Sequence, residues 1–421
     1  MARDCVVGLD IGTTKVCAIV GEVAEDGKVE IVGLGTAKSA GIRKGVVIDI
    51  DEAAAAIAEA VAAARAATNY DIHSVVVGVT GEHIASLNSR GVLAVTHPDR
   101  EITAEDVDRV LDQAKVIVLP PDREIIHSIP RSYTIDGQSG IRYPVGMAGT
   151  RLEVETHVVT GAVTLLQNVA KAVGRASLSV EASVLEPIAS SEAVVTPAER
   201  DLGVALVDIG GGTTDLAVFV DGDIGFSSII PIGGNHVTRD ISIGLRVTLE
   251  EAERIKLAHS AAAPSAAGPD EVLEFDITGI DGETRTISRR QLLDIVSPRI
   301  EEIFRHVRQE IEKSGYHNFL PAGIVLTGGG ALMPASTTFC TEVTGLSTRT
   351  GSPSDIKDLP ENLQSPVYAT GLGLVLYAAR YTRGNYGRKI NPSPLAAQVT
   401  QKLGSVMQRL QKFFARVMGS E

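Results

Sequence analysis

The sequence contains no tryptophan, and aromatic residues make up only 4% of its 421 residues. Proteins that hold single-stranded nucleic acid stack the bases on aromatic side chains, so we expect no nucleic-acid partner. Cysteines are also scarce: Cys5, Cys17 and Cys340 lie far apart and show no CxxC spacing. An odd, scattered set of cysteines is typical of a reducing compartment and argues against a disulfide framework or a zinc site.

Long apolar segments are absent as well. The N-terminal sequence MARDCVVGLDIG lacks the apolar core of a signal peptide. No window offers about 18 uninterrupted apolar residues, the length that a transmembrane helix requires. We therefore expect a protein that remains in the cytosol.

Acidic residues are almost missing from one part of the chain. Residues 362–421 contain one acid, Glu421, and eight Lys or Arg residues, a net charge of +7. Since the whole chain carries −13, residues 1–361 carry −20. An acidic body with a basic tail predicts that the tail meets an anionic surface that the body avoids.

Two stretches half a chain apart share one pattern of strand, Gly/Thr turn and strand. VVGLDIGTTKVCAIV begins at Val6 and GVALVDIGGGTTDLAVFV begins at Gly203, and both contain Asp-Ile-Gly followed by a Thr-Thr pair. We align Thr13–Thr14 with Thr213–Thr214, with two extra residues in the second turn. An internal duplication of this kind predicts two α/β lobes that face each other. Helices are predicted at residues 51–67, 165–175, 247–259 and 289–314.

A segment of different character interrupts the first half. It consists of strand-like pieces separated by prolines, around a helix that Thr103 is expected to cap. We interpret it as a small inserted α+β subdomain. The predicted organisation is first lobe 1–81, insert 82–156, first lobe continued 157–200, second lobe 201–361 with a smaller subdomain at about 235–300, return to the first lobe 362–381, linker 382–394 and terminal helix 395–418.

Three glycine-rich turns, each after a buried strand, suit the binding of a phosphate chain. Glycines let backbone N–H donors approach phosphates closely, threonine hydroxyls add donors, and Lys15 adds a positive charge. Asp10 and Asp208, at the ends of their strands, suit a magnesium ion held through its water molecules. A lone DxGxT or GGG is usually a plain turn, but two DIG…TT turns together with Gly328–Ala331 favour a nucleotide site.

This combination resembles the actin/Hsp70/sugar-kinase ATPase superfamily, which implies ATP and Mg²⁺ as cofactors. The LDIGTTK start, the insertion and the basic C-terminus together resemble the FtsA family, the bacterial cell-division actin homologues. The resemblance implies an α/β, actin-like two-lobed fold with duplicated ribonuclease-H-like halves, an inserted small α+β subdomain and a C-terminal amphipathic helix. Two alternatives are a PilM-like pilus-assembly actin homologue, against which the tail argues, and a small-molecule kinase, which has no use for such a tail.

The resemblance also assigns the residues of a nucleotide site. The first phosphate loop comprises Asp10, Gly12, Thr13, Thr14 and Lys15. The second comprises Gly210, Gly211, Gly212, Thr213 and Thr214, flanked by Asp208 and Asp215. The remaining assignments are a turn near the nucleotide at Gly234 and Asn235, a pair near the ribose and adenine at Glu253 and Lys256, and an adenosine loop at Gly328, Gly329 and Gly330.

Some of these assignments have alternatives. Glu253 and Lys256 face the same side of a helix, and a solvent-exposed ion pair is the alternative role. Glu186 matches the position where bacterial actin relatives carry an acid that orients water, and it could act as a general base in a slow ATPase. Its alternative role is to cap the helix that begins beside Pro187.

The tail has the pattern of an amphipathic helix. At 100° per residue, its apolar side chains fall within an arc of about 140°; they include Leu403, Val406, Leu410, Phe413, Phe414 and Val417. The opposite face is basic, with Lys402, Arg409, Lys412 and Arg416. Packing on the acidic body is one alternative, but the linker and the purely basic polar face favour a helix that lies in a membrane interface.

The resemblance and the tail together predict a function. The chain is expected to bind ATP, to polymerise with itself, and to tether the FtsZ ring to the anionic inner membrane. We expect it at the cytoplasmic face of the cell membrane, as a peripheral protein of the division site.

Overall fold

The computed structural model describes residues 4–382, apart from residues 25, 69, 98, 267–273, 355 and 357. The predicted terminal helix 395–418 and all but the first residue of the predicted linker 382–394 lie outside the described residues.

The chain opens with an antiparallel hairpin that a third strand extends. The elements up to residue 79 are β1 (Asp4–Ile11), β2 (Lys15–Val23), β3 (Val29–Lys38), β4 (Ile42–Arg43), β5 (Val46–Val47), α1 (Ile50–Ala67) and β6 (Ser74–Val79). The predicted helix at 51–67 is confirmed as α1. It begins where the Asp49 side chain accepts hydrogen bonds from the backbone N–H groups of Asp51 and Glu52, which satisfies donors that a helix start leaves unpaired.

The inserted segment forms a sheet of its own. Its elements are β7 (Ala85–Ala94), α2 (Ala104–Ala114), β8 (Arg123–Ile135), β9 (Gln138–Ile141) and β10 (Arg151–Ala162), and the strand order is β7-β10-β8-β9. The predicted cap is confirmed, because Thr103 and Asp106 form a reciprocal capping box at the start of α2. The predicted boundary between 156 and 157 falls inside β10, which continues to Ala162 as a single strand.

The first half then closes with α3 (Val163–Arg175), β11 (Ser179–Leu185), α4 (Glu186–Val194) and α5 (Pro197–Leu202). Its five-stranded sheet has the order β11-β6-β1-β2-β3. Strands β6 and β11 pair in parallel with their neighbours, whereas β1, β2 and β3 are antiparallel. Because parallel strands end at the same edge of the sheet, the residues that follow them lie close together.

The second half repeats this arrangement. Its elements are β12 (Val204–Ile209), β13 (Thr214–Val220), β14 (Asp223–Ile230), α6 (Gly234–Leu245), α7 (Leu249–His259), β15 (Glu274–Thr278), β16 (Thr284–Ser288), α8 (Arg289–Lys313), β17 (Ile324–Thr327), α9 (Ser336–Thr344), β18 (Thr348–Thr350) and α10 (Ala369–Tyr377). The sheet order β14-β13-β12-β17-β18 is the order of the first sheet, strand for strand, with the same parallel and antiparallel pairs. The predicted duplication is confirmed.

The alignment that we predicted for the two turns is wrong in one respect. Ile11 pairs with Val16, and Ile209 pairs with Thr214, so each turn has the same length. Thr13–Thr14 therefore correspond to Gly211–Gly212, and not to Thr213–Thr214. The same register makes Asp215 the counterpart of Cys17.

Helices α4 and α10 lie between the two sheets. A buried core joins Cys17 and Ile19 of the first sheet, Leu206 and Ala217 of the second, and apolar side chains of both helices. The helices cross closely, since a Cβ atom on Gly373 would lie 1.8 Å from the carbonyl oxygen of Ala189. Further helices cover the outer faces of both sheets, and the insert has a separate core. The two lobes therefore meet through one helical layer.

Two further points concern the helices. The predictions at 165–175, 247–259 and 289–314 are confirmed within two residues by α3, α7 and α8, whereas α6 was not predicted because Gly234 and Gly244 interrupt its pattern. None of the helices in the described part of the chain has the length and apolarity needed to cross a bilayer.

Candidate functional site

The two glycine-rich turns face each other across the gap between the lobes. A Cβ atom on Gly211 would lie 2.5 Å from Cγ2 of Thr14, and one on Gly212 would lie 2.6 Å from Oγ1 of Thr13. Residues that are about 200 positions apart are thus in contact. We predicted two lobes that face each other, and the structure shows that these turns are in contact, which requires glycine in the second turn.

The start of α6 supports the second turn from behind. The backbone N–H groups of Gly234 and Asn235 donate to the carbonyl oxygens of Gly210 and Gly211, at 2.9 and 2.8 Å. We predicted a turn near the nucleotide at these two residues; the structure places the first turn of a helix there. Because both N–H groups have partners in the protein, these two residues hold the glycine turn in place.

The third turn, after β17, packs against the end of β12, the strand that leads into the second turn. Gly328 has a φ of +79°, and a Cβ atom on it would lie 2.2 Å from Oδ1 of Asp208. A Cβ atom on Gly330 would lie 2.4 Å from Cγ2 of Ile209. By contrast, a Cβ atom on Gly329 would meet no atom within 4 Å, so Gly329 borders open space.

Four acidic side chains come together where the strands end: Asp10, Glu186, Asp208 and Asp215. Burial raises the pKa of Asp10 to about 6, and the charge of Asp208 adds to the effect against the opposing charge of Lys15. Burial and Asp208 raise the pKa of Asp215 to about 7. For Glu186, burial and then the charges of Asp215, Asp10 and Asp208 raise the pKa well above its ordinary value. The site therefore holds more negative charge than the protein alone neutralises.

Asp208 is fixed by both helices of the layer between the lobes. Its Oδ2 accepts hydrogen bonds from Ser190 of α4, at 2.7 Å, and from Thr370 of α10, at 3.2 Å. Neither hydroxyl was predicted to belong to the site. Each lies in a helix rich in small residues, a pattern that indicates close helix packing and no particular site. A hydroxyl side chain among those small residues is the only sequence feature that could have indicated a role in the site.

Lys15 does not point freely into the gap. Its Nζ donates to the carbonyl oxygen of Val367 at 2.8 Å and lies 3.9 Å from the ring centroid of Tyr368. Burial raises the pKa of both Asp10 and Asp208, and the ammonium group is near enough to offset part of that rise. In this structure the positive charge of Lys15 therefore partly balances the negative charge of the acids. We had predicted instead that Lys15 would contact phosphates.

The threonines of the turns have different environments. Thr214 is fully buried and donates its hydroxyl to the carbonyl oxygen of Ile232 at 2.8 Å, so the donor that we assigned to phosphates is occupied. Thr13 accepts a hydrogen bond from the N–H of Gly45 at 3.2 Å. Thr14 is exposed, and Thr213 is buried beside Asp215. Thr13, Thr14 and Thr213 remain placed at the gap.

The pair Glu253 and Lys256 is confirmed as an ion pair, with 2.7 Å between Nζ and Oε2. It is not merely a surface pair, because Lys256 Nζ also donates to Thr238 at 2.9 Å and to the carbonyl oxygen of Gly234 at 3.3 Å. Thr238 donates in turn to Glu253 at 2.5 Å. The pair thus ties α7 to the helix that supports the second turn.

Glu186 is the first residue of α4, followed by Pro187. A Cβ atom on Gly78 of β6 would lie 3.1 Å from Cγ and 3.4 Å from Oε1 of Glu186, so the side chain lies along the end of β6. Its carboxyl group interacts with Asp215 across the gap. This position, between strand β6 and the acidic cluster, is one from which a carboxyl group can act on a molecule in the gap.

These residues fit a nucleotide with a magnesium ion. The glycines leave room for a ligand at Gly329, and Oδ1 of Asp215 is buried without a hydrogen-bond partner. Among the described residues, no three His, Cys, Asp or Glu side chains are arranged to bind a metal ion directly. A magnesium ion here would therefore take most of its ligands from water and phosphate oxygens, with Asp10 and Asp208 holding it through water.

Comparison with known proteins bears on this site. Residues 81–160 match the family described as "SHS2 domain inserted in FTSA", and residues 205–373 match "Cell division protein FtsA". The chain is 41% identical over 408 residues to the cell division protein FtsA of Pseudomonas aeruginosa, covering 97% of each chain. It belongs to the FtsA family.

Other FtsA proteins match along most of their length. That of Escherichia coli K12 is 35% identical over 421 residues, covering 98% of both chains, and that of Bacillus subtilis is 38% identical over 384 residues, covering 91% of this chain and 85% of the relative. The chain is therefore an actin-like cell division protein, which favours the FtsA interpretation over the pilus-assembly and kinase alternatives.

Solved structures support the actin-like fold. The PilM–PilN type IV pilus biogenesis complex superposes with a TM-score of 0.64 at 18% identity, covering 90% of this chain and 100% of that chain. MreB5 of Spiroplasma citri bound to ADP superposes with a TM-score of 0.51 at 16% identity, covering 89% and 95%. At these identities the likeness concerns the fold alone.

Proposed function

We propose that this FtsA protein binds ATP with Mg²⁺ between its lobes, polymerises, and tethers the FtsZ ring to the cytoplasmic membrane through its C-terminal helix. The observation that carries the nucleotide part is the contact between the two glycine-rich turns beside a cluster of acids. Backbone N–H groups in glycine turns favour phosphate oxygens. The ADP that MreB5 of Spiroplasma citri binds in a related fold supports the same assignment.

Charge explains why the site needs a cation. Asp10, Asp208, Asp215 and Glu186 lie together, and burial raises the pKa of all four. The positive charge of Lys15 offsets only part of the rise at Asp10 and Asp208. A bound magnesium ion would neutralise both this cluster and the phosphates. The position of Glu186 along the end of β6, beside the other acids, supports a role as the group that accepts a proton from a water molecule, and any hydrolysis would then depend on it. We expect at most a slow ATPase.

The membrane part rests on the tail sequence. The terminal stretch 395–418 combines an apolar arc with basic residues, in a chain whose first 361 residues carry −20. Each basic residue near an anionic surface contributes on the order of 1 kcal/mol, and a single short apolar face binds only marginally. A polymer presents many tails at once, so avidity would convert weak binding into stable attachment. The insert 82–156 is proposed as a module for contacts with other subunits or division proteins.

Substitution of Gly329 tests the nucleotide site. Gly329→Val places a side chain in open space, so it should weaken ATP binding at least about tenfold, a loss of roughly 1.4 kcal/mol, without unfolding the protein. Gly174→Val is the matched control, because a Cβ atom on Gly174 also meets no atom within 4 Å but lies on α3. Calorimetric titration with Mg²⁺ decides: equal ATP affinity in the two variants would remove the third turn from the site.

A charge on the apolar face tests the tail. Leu410→Glu places an acid near the middle of the predicted apolar arc, and Gln408→Glu places the same charge on the polar face. Flotation with anionic vesicles should release the first variant and retain the second, with ATP affinity unchanged in both. If Leu410→Glu floats as well as the parent chain, or if a chain ending at residue 383 does so, the tail is not the anchor.

A further inference from the structure

A small cavity lies behind Glu186. Its volume is about 10 Å³, and it is enclosed mainly by apolar side chains of β1, β5 and α3. The polar side chains in its wall are Thr80, His83 and Glu186. Thr80 and His83 follow directly on β6, the strand along whose end the Glu186 side chain lies.

Three buried polar atoms in this wall have no hydrogen-bond partner. They are Oγ1 of Thr80 and both ring nitrogens of His83. Thr80 is only 4% exposed. Burial raises the pKa of Asp215, and Thr80 is close enough to offset part of that rise, although its hydroxyl has no hydrogen bond of normal geometry. Buried polar groups almost always have a partner, and ordered water supplies one where the protein does not.

The imidazole of His83 is held in place and uncharged. Gly81 has a φ of +125°, and a Cβ atom on it would lie 2.9 Å from Nδ1 of His83, so the ring packs against glycine. Arg123 donates to the carbonyl oxygen of His83 at 2.9 Å. Burial and the charge of Arg123 lower the pKa of His83 to about 4. A neutral imidazole has one donor and one acceptor nitrogen, and both lack a partner here.

The second half of the duplication differs at the strand position beside this cavity. The register of the strand pairs makes Gly78 of β6 the counterpart of Thr327 of β17. Thr327 donates its hydroxyl to the carbonyl oxygen of Gly351 at 2.9 Å. Gly78 has no side chain, and it lines the cavity next to Glu186. The first half therefore has no hydroxyl at the strand position where the second half makes a direct hydrogen bond.

We propose that one water molecule occupies this cavity and joins Thr80 and His83 to the carboxyl group of Glu186, so that Thr80 and His83 are positioning residues for Glu186. The volume suits a single water molecule, which needs about 10–15 Å³ and two to four polar partners. The water site follows from the geometry alone. Its importance for hydrolysis rests on the proposed role of Glu186.

Matched valine substitutions test whether the cavity is hydrated. If a water molecule bonds to Thr80, Thr80→Val removes a satisfied hydrogen bond and should lower Tm by about 1–3 °C. Thr156→Val is the control, since Oγ1 of Thr156 is also buried without a partner, away from this cavity. Removing an unsatisfied hydroxyl should leave Tm unchanged or raise it.

Crystallography of the full chain with Mg²⁺ and ATP gives the direct result. We expect a water molecule within hydrogen-bond distance of Oγ1 of Thr80 and of a nitrogen of His83, and its loss in Thr80→Val. An empty cavity in well-resolved density would overturn the proposal, as would a rise in Tm for Thr80→Val equal to that for Thr156→Val.

Turnover tests the positioning role separately. His83→Phe should lower kcat for ATP about tenfold and leave KM within about twofold, whereas His83→Gln, which keeps a donor and an acceptor, should restore most of kcat. Equal loss in both variants would make His83 a packing residue. If the parent protein did not hydrolyse ATP, the proposed role of Glu186 in hydrolysis would be wrong. The water site is tested separately by crystallography, so that result would not be affected.

Discussion

The two halves of the molecule share a frame but differ in chemistry at the turns that meet. Their sheets have the same strand order, and their turns have the same length. Yet residues 13–15 are Thr-Thr-Lys, and the equivalent residues 211–213 are Gly-Gly-Thr. The two halves therefore share a backbone arrangement but differ in side chains. The first turn carries a positive charge on Lys15, and the second has backbone without side chains at Gly211 and Gly212.

The residues after the turns differ in the same sense. The counterpart of Asp215 in the first half is Cys17, a thiol whose pKa burial raises to about 12. Next to its turn, the second hairpin thus has two paired acids, Asp208 and Asp215, whereas the first has Asp10 paired with Cys17. The halves are not interchangeable, and substitutions at equivalent positions should have unequal effects.

The largest inequality is expected between Asp208→Ala and Asp10→Ala. Both remove a carboxylate that would hold magnesium through water, but Asp208 also accepts hydrogen bonds from Ser190 and Thr370. Hydrogen bonds to a charged group contribute about 1.5–3 kcal/mol each. Calorimetry with Mg²⁺ and ATP should show an affinity loss of about 10²-fold or more for Asp208→Ala and about tenfold for Asp10→Ala. Equal losses would mean that anchoring by α4 and α10 does not matter.

The sequence predicts the duplicated two-lobed fold well and the positions of individual side chains in the site less well. The glycine turns could be found because strand, turn and strand leave a strong local pattern, and the repeat of Asp10-Ile-Gly at Asp208 identifies the duplication. The alignment of the Thr-Thr pairs was wrong because it matched identical residues. The register of the strand pairs decides which residues correspond, and it gives both turns the same length. Nothing in the sequence indicates that Lys15 bonds to Val367, which is 352 residues away.

Contacts between distant segments account for the other omissions. Ser190 and Thr370 enter the site because two helices rich in small residues approach closely enough to place both hydroxyls on Asp208. Helix α6 was missed because glycines lower the helical propensity of its sequence, while packing against α7 and α8 stabilises it. In both cases the feature depends on tertiary packing, which local sequence patterns do not show.

The contact between the turns offers a second comparison. Gly211→Ala would bring a Cβ atom to 2.5 Å from Cγ2 of Thr14, so we expect ATP affinity to fall about tenfold, or roughly 1.4 kcal/mol. Thr14→Ser removes that methyl group and keeps the hydroxyl, and in the double variant it should restore most of the affinity. Additive losses in the double-mutant cycle would show that the two turns are not coupled.

The extra acid of the second half should make stability depend on pH. The pKa of Asp215 is about 7 in the folded protein and ordinarily 3.8, so between pH 6.5 and 8 the folded state binds more protons than the unfolded state. This carboxyl group should therefore lower the stability of the nucleotide-free protein by about 1 kcal/mol as the pH rises from 6.5 to 8. Three buried histidines act in the opposite direction, because they are neutral in the folded protein and partly protonated in the unfolded chain near pH 6.5. The effect of Asp215 is therefore measured as a difference between two chains that share these histidines.

Asp215→Asn isolates this term. It removes the carboxyl group, and it also removes the charge that raises the pKa of Glu186. Denaturation at both pH values should therefore show that the variant gains about 1 kcal/mol of stability relative to the parent chain between pH 6.5 and pH 8. Cys17→Ser is a suitable control, because it changes the equivalent position of the first half without adding or removing an acid. If the free energy of unfolding changed with pH by the same amount in Asp215→Asn and in the parent chain, the pH dependence would belong to other groups.

The smallest effect concerns Thr214, whose counterpart in the first half is Val16. Thr214→Val gives the second half the type of residue that the first already has, and it leaves the carbonyl oxygen of Ile232 without the hydroxyl that donates to it at 2.8 Å. We expect the free energy of unfolding to fall by about 0.5–1 kcal/mol, with ATP affinity unchanged. If affinity fell tenfold while stability stayed constant, Thr214 would contact the nucleotide, and its bond to Ile232 would be secondary.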